Sequence, residues 1–98
     1  MTPEDFAVLE AAITGRRSYE WFKDKSTATS ELARHGLIED VEMHQPPPTG
    51  SGERKYQGTA KGRSFYEEVV RTLLTATGNK DFRRLREIEL PPPSRSTR

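Results

Sequence analysis

Two phrases on either side of a Pro- and Gly-rich stretch constrain this chain most: Arg34-His35-Gly36-Leu37-Ile38-Glu39 and Tyr56-Gln57-Gly58-Thr59-Ala60-Lys61-Gly62-Arg63-Ser64-Phe65. The first reads as a helix halted by glycine, the residue that enters the left-handed region at least cost, followed by a β-compatible run. The second reads as a strand whose terminal threonine caps a new helix, its hydroxyl accepting from an otherwise unpaired backbone N–H. Both phrases in one chain require a helix, a two-stranded antiparallel hairpin and a second helix, in that order. The expected class is therefore α+β.

The 98 residues allow a single small domain, and an apolar fraction of 32% with a mean hydropathy of −0.87 leaves part of the chain outside any core. Pro46-Pro47-Pro48 and Pro91-Pro92-Pro93 sit beside Ser, Thr, Gly or Arg and cannot recover ordering entropy by burying apolar surface. With 16 basic and 15 acidic side chains the net charge is only +1, so any polyanion partner must be met by a local patch. Residues 53–63 supply one, with Arg54, Lys55, Lys61 and Arg63 against Glu53; Arg16, Arg17, Lys23 and Lys25 bracket another. Cysteine is absent, which excludes disulfides, thiolate metal sites and cysteine nucleophiles. No apolar run reaches the ~20 residues of a membrane span, nor does a charged-then-apolar leader open the chain, so the expected location is cytoplasmic and nucleoid-associated.

Thr2-Pro3-Glu4-Asp5 opens a first helix over 3–14, with Phe6, Leu9 and Ile13 on its core face and Gly15 as its stop. Ser18 caps a second helix, Tyr19 to Asp24, in which Phe22 is expected inside and Tyr19 or Trp21 partly outside. A third helix, capped by Ser26 or Thr27, ends before Gly36. A strand from Leu37 to His44, its first residues buried on both sides, leads through a loose tip at 45–53 into a second strand, Arg54 to Gly58, with Tyr56 facing inward. The last helix starts after Thr59 and carries Phe65, Tyr66, Val69, Val70, Leu73 and Leu74 as a wide apolar stripe up to Gly78. Phe82, Leu85 and Ile88, three apart, suggest a short helix between Asp81 and Leu90.

This order resembles the winged helix-turn-helix proteins, in particular small MarR-like and PadR-like regulators. Gly36-Leu37-Ile38-Glu39 is similar to that family's passage from recognition helix into wing, and Tyr56-Gln57-Gly58-Thr59-Ala60-Lys61-Gly62 to its passage from wing into last helix. The resemblance implies a winged-helix domain over 1–78 with three N-terminal helices, a wing hairpin with a mobile tip at 45–53 and a long C-terminal helix. Residues 79–90 would form a short helix or extension, and 91–98 a disordered Pro/Arg tail. Two departures stand out. Gly58 occupies the place of a large apolar residue, which removes one anchor from the second strand. The seventeen positions from Tyr19 to His35 are also fewer than the roughly 25 that two three-turn helices and a turn require, so both helices are short or one is missing.

The function implied is DNA binding by a transcriptional or mobile-element regulator. Lys25, Ser26, Thr27, Thr29, Ser30 and Arg34 would meet phosphates or bases from the third helix, and Arg54, Lys55, Lys61 and Arg63 would hold phosphates from the wing and the last helix. Arg16 and Arg17, just after a helix end, read as partners of its dipole. The competing reading is a protein-interaction module, an adaptor or inhibitor of a machine such as a polymerase, with Tyr19 and Trp21 as anchors. The expected partners are double-stranded DNA, a protein in the competing reading, and a second copy through the last helix. His35 and His44 have no zinc-ligand spacing, and neither a nucleophile elbow nor a phosphate-binding glycine loop is present, so no metal, cofactor or enzymatic activity is expected.

Overall fold

The structure, a computed structural model, describes residues 1–43 and 53–93. Along the chain it forms α1 (Pro3–Thr14), α2 (Tyr19–Asp24), α3 (Ser26–Arg34), β1 (Ile38–Met43), β2 (Glu53–Gly58), α4 (Ala60–Leu73) and a 3₁₀ helix at Phe82–Glu87. The two strands pair antiparallel, from Ile38 opposite Gly58 to Met43 opposite Glu53. The architecture is α+β, a small hairpin set among helices. The expected wing tip, apart from Glu53, and residues 94–98 of the expected tail lie outside the described residues.

Local chemistry explains the helix starts. Thr2 and Asp5 form a reciprocal cap on α1: the Asp5 amide donates to the Thr2 hydroxyl at 3.0 Å and the Thr2 amide to the Asp5 carboxylate at 3.1 Å. Gly15 closes that helix at φ 71°. The Ser18 hydroxyl accepts from the Trp21 amide to start α2. The α3 start differs from expectation, since neither Ser26 nor Thr27 caps it. Lys25 alone separates α2 from α3, and the join is made by buried Thr29, whose hydroxyl donates to the Phe22 carbonyl at 3.0 Å. The helix pair is thus complete and short, six and nine residues long.

The two glycine-led phrases meet in space. Gly36 at φ 77° ends α3 with the Leu37 amide donating to the Leu32 carbonyl and the Gly36 amide to that of Ala33, the double closure that satisfies orphan helix carbonyls. Thr59 then ties the phrases together. Its amide donates to the Leu37 carbonyl at 3.0 Å, its hydroxyl donates to the Gly36 carbonyl at 2.6 Å, and the same hydroxyl accepts from the Gly62 amide at 2.9 Å. Gly62 lets the first turn of α4 lie directly on the backbone of Leu37.

Gly58 is no lost anchor. A Cβ there would stand 2.6 Å from the Ile13 side chain, so α1 itself fills the space that a large side chain would take. Around this junction Val8, Leu9, Phe22, Leu32, Leu37 and Ile38 form the main core. A second cluster, Phe6, Val69, Leu73 and Leu85, joins α1 to α4 and the 3₁₀ helix. The latter winds three residues per turn, which accounts for the spacing of Phe82, Leu85 and Ile88. α4 stops at Leu73, five residues before Gly78: Leu74 leaves the helix to bridge Lys80, and the Asp81 amide donates back to the Leu73 carbonyl. Residues 91–93 are not a loose tail, for the Pro91 carbonyl meets the His35 ring and the Pro92 carbonyl accepts from Lys61.

Two tyrosines lock elements together. Tyr66 donates to the Glu10 carboxylate at 2.7 Å, and burial followed by that bond pushes its hydroxyl up to about 12. Tyr56 is likewise pushed up to about 12, first by burial and then by the neighbouring Tyr19 hydroxyl. An unfolded tyrosine ionises near pH ~10, so between ~10 and 12 the folded chain holds more protons than the unfolded one. Stability is therefore full below that window and falls as pH rises through it. A tyrosinate absorbance titration checks this: Tyr56 and Tyr66 are expected to ionise late, together with unfolding, and complete ionisation by about pH 11 in the folded protein would contradict the packing.

Candidate nucleic-acid interface

The hairpin sorts its side chains by strand alternation. Asp40, Arg54 and Tyr56 share the face turned toward α2, while Glu39, Val41, Lys55 and Gln57 share the other. On the α2 side, Tyr56 stacks on Tyr19 with ring centroids 5.1 Å apart and planes at 9°, and packs on Phe22 at 5.1 Å. This inward placement of Tyr56 agrees with the sequence reading. The Tyr19 hydroxyl donates to Asp40 at 3.0 Å, and Arg54 Nε donates to the same carboxylate at 3.1 Å. Asp40 beside it raises the Arg54 guanidinium above its ordinary range, first through the hydrogen bond and then through charge.

Between α2 and β2 lies an open cleft of about 600 Å³ lined by Arg17, Ser18, Tyr19, Glu20, Lys23, Arg54 and Lys55. Three separate segments deliver its cations: the α1–α2 connection, α2 and the second strand. Lys23 lies over the Tyr19 ring at 5.9 Å and reaches Glu20 at 4.0 Å, a long and exposed contact that neutralises little of its charge. The neighbouring Trp21 ring holds Arg17 and Lys25, each 5.1 Å from its centroid. Lys55 reaches the cleft rim from the outer face of the hairpin, so the strand pair carries cations on both sides.

The other sequence-predicted residues are dispersed. Thr29 is buried and bonded to Phe22, so it cannot reach a ligand; this corrects its assignment to DNA contact. Ser26, Thr27, Ser30 and Arg34 are exposed on α3. Arg34 pairs with Glu31 at 2.8 Å, and that bond holds the Glu31 carboxyl below its ordinary range. Thr27 borders a groove with Glu4, Asp5 and Glu31, an acidic neighbourhood unsuited to phosphate. Lys61 donates to the Pro92 carbonyl at 3.1 Å at the Thr59 end of the hairpin, away from the cleft, with Arg63 exposed two residues on.

Sequence reasoning passed over Arg17 as a dipole partner and omitted Lys23 from the site. A signal for both was present. Arg17, Trp21 and Lys25 recur every four residues, as do Tyr19 and Lys23, which sets a cation one helical turn from each aromatic ring. Tyr19 and Trp21 are half-buried and engaged within the fold, Trp21 edge-on against Phe22 at 5.1 Å. Among the described residues no group of three or more metal-ligating side chains converges, and no helix is long and apolar enough to cross a membrane. No protein-family profile, curated protein or solved structure matches the chain.

Proposed function

We propose that this chain is a small winged-helix DNA-binding protein, a regulator that grips the duplex backbone with its hairpin and α2 while the outer face of α3 lies against a groove. The convergence of Arg17, Lys23, Arg54 and Lys55 on one open cleft carries this reading. It gives a molecule of net charge +1 the local positive field that phosphate binding needs. The order of three helices, hairpin and helix supports the winged-helix assignment. Ser26, Ser30 and Ala33 give α3 a small outer face that allows close approach. Arg34, the long basic side chain bordering that face, is paired with Glu31, so backbone contacts dominate and sequence selectivity is modest.

The adaptor reading has less support, because Tyr19 and Trp21 are packed against Tyr56 and Phe22 and are not free to anchor a partner. Lys23 and Lys55 are the informative pair to replace, since Arg54 is already held by Asp40. The double variant Lys23→Ala, Lys55→Ala is expected to bind duplex DNA roughly tenfold more weakly at low salt, with a salt dependence flatter by about two phosphate contacts. Unchanged affinity and slope in a mobility-shift series would remove the cleft from the interface. Failure of the wild-type chain to shift any duplex at low salt would remove DNA binding altogether.

A further inference from the structure

Trp21 makes contacts that neither packing nor partner anchoring describes. Arg17 and Lys25 both lie 5.1 Å from its ring centroid, so their charges are held no more than twice that distance apart. Neither forms an ion pair among the described residues. Arg17 stands just before α2 and Lys25 just after it, and two cations without an ion pair among the described residues would otherwise spread in solvent. The electron-rich ring, held by its perpendicular contact with buried Phe22, draws both toward it. Long side chains that normally lose rotamer entropy on binding are thereby ordered in advance.

We infer that Trp21 organises a two-cation clamp, Arg17 and Lys25, that takes neighbouring phosphates of one DNA strand and extends the α2–β2 cleft. This rests on the DNA-binding reading and specifies how part of it works. A strand presents a phosphate every ~3.4 Å of duplex axis, so cations this close meet the same strand within a few nucleotides. With both cations over the ring and Phe22 packed perpendicular to it, the ring is engaged and is not offered for stacking an unpaired base, which favours duplex over single strand. Trp21 is a positioning residue in this arrangement and touches no nucleic acid.

The test is fluorescence anisotropy of a labelled mixed-sequence duplex across a salt series. Trp21→Leu is expected to lower the slope of log affinity against log salt by about two units, and Arg17→Gln with Lys25→Gln to match it. Trp21→Phe, which keeps a ring face, is expected to restore most of the slope. Because Trp21→Leu also alters packing, the Arg17, Lys25 double variant decides the matter should the single one unfold. A duplex-binding wild type whose slope is unchanged in that double variant, or in a folded Trp21→Leu, overturns the clamp and leaves DNA binding standing. Equal competition by inorganic polyphosphate at matched phosphate concentration overturns the assignment to a DNA strand, and absence of duplex binding by the wild type overturns both.

Discussion

Gly62→Ala is expected to destabilise the protein by ~3 kcal/mol or more, a large part of the ~5–15 kcal/mol that holds a domain together. Two effects of opposite sign compete at this position. Alanine favours a helix over glycine by ~1 kcal/mol, and Gly62 lies in the first turn of α4. Against this, a Cβ would sit 1.9 Å from the Leu37 carbonyl oxygen and 2.8 Å from its carbon. Those are backbone atoms and cannot rotate aside. α4 would have to back away from Leu37, pulling on the bonds that Thr59 makes to Gly36 and Leu37. The sign of the change is decisive. Guanidinium unfolding should show a lower midpoint for the variant, whereas an equal or higher one would mean that propensity alone acts and the close approach is absent.

Phe22→Ala should cost a comparable ~3–5 kcal/mol, from lost burial plus the cavity left behind. Phe22 is 1% exposed and supports Tyr56 on one side and Trp21 on the other, each with ring centroids 5.1 Å away. Its removal reaches the candidate interface through both rings: Tyr56 carries Tyr19 and the Lys23 contact, and Trp21 carries Arg17 and Lys25. Phe22→Leu retains much of the volume while giving up the edge contact with Trp21. It is expected to remain folded and to bind duplex more weakly. Thermal unfolding of the two variants, paired with duplex titration of the leucine one, checks the prediction; a loss below ~1 kcal/mol in the alanine variant would contradict the packing.

Where a signal is local, the sequence carries it to the residue. The ends of α1 follow from Thr2-Pro3 and Gly15, α2 from Ser18, and the start of α4 from Thr59, because caps and left-handed glycines act within a turn. The misses depend on partners more than one helical turn away in the chain. The break at Lys25 comes from a bond between Thr29 and Phe22, which no capping pattern announces. The glycine at 58 reads as a deficit until Ile13 is seen against it. α4 has the composition to run on to Gly78, yet Leu73 and Leu74 are recruited by the returning segment at Lys80 and Asp81. The interface divides the same way. The hairpin cations are legible from the charge run at 53–63, whereas the company that Arg17 and Lys23 keep with them depends on how α2 lies across β2.

Among the described residues the two hydrophobic clusters share bordering side chains alone, Met1, Phe65 and Tyr66. Arg17, Lys23, Lys25, Arg54 and Lys55 stand on or beside segments that pack on the first cluster. The second, Phe6 with Val69, Leu73 and Leu85, holds α4 and the 3₁₀ helix to α1. Stability and the placement of the charged side chains are therefore coupled in the first cluster, through Phe22, while no member of the second lines the cleft. Changes in the C-terminal half of α4 or the 3₁₀ helix are therefore expected to alter stability with little displacement of the cleft side chains, whereas changes at Phe22 reach both.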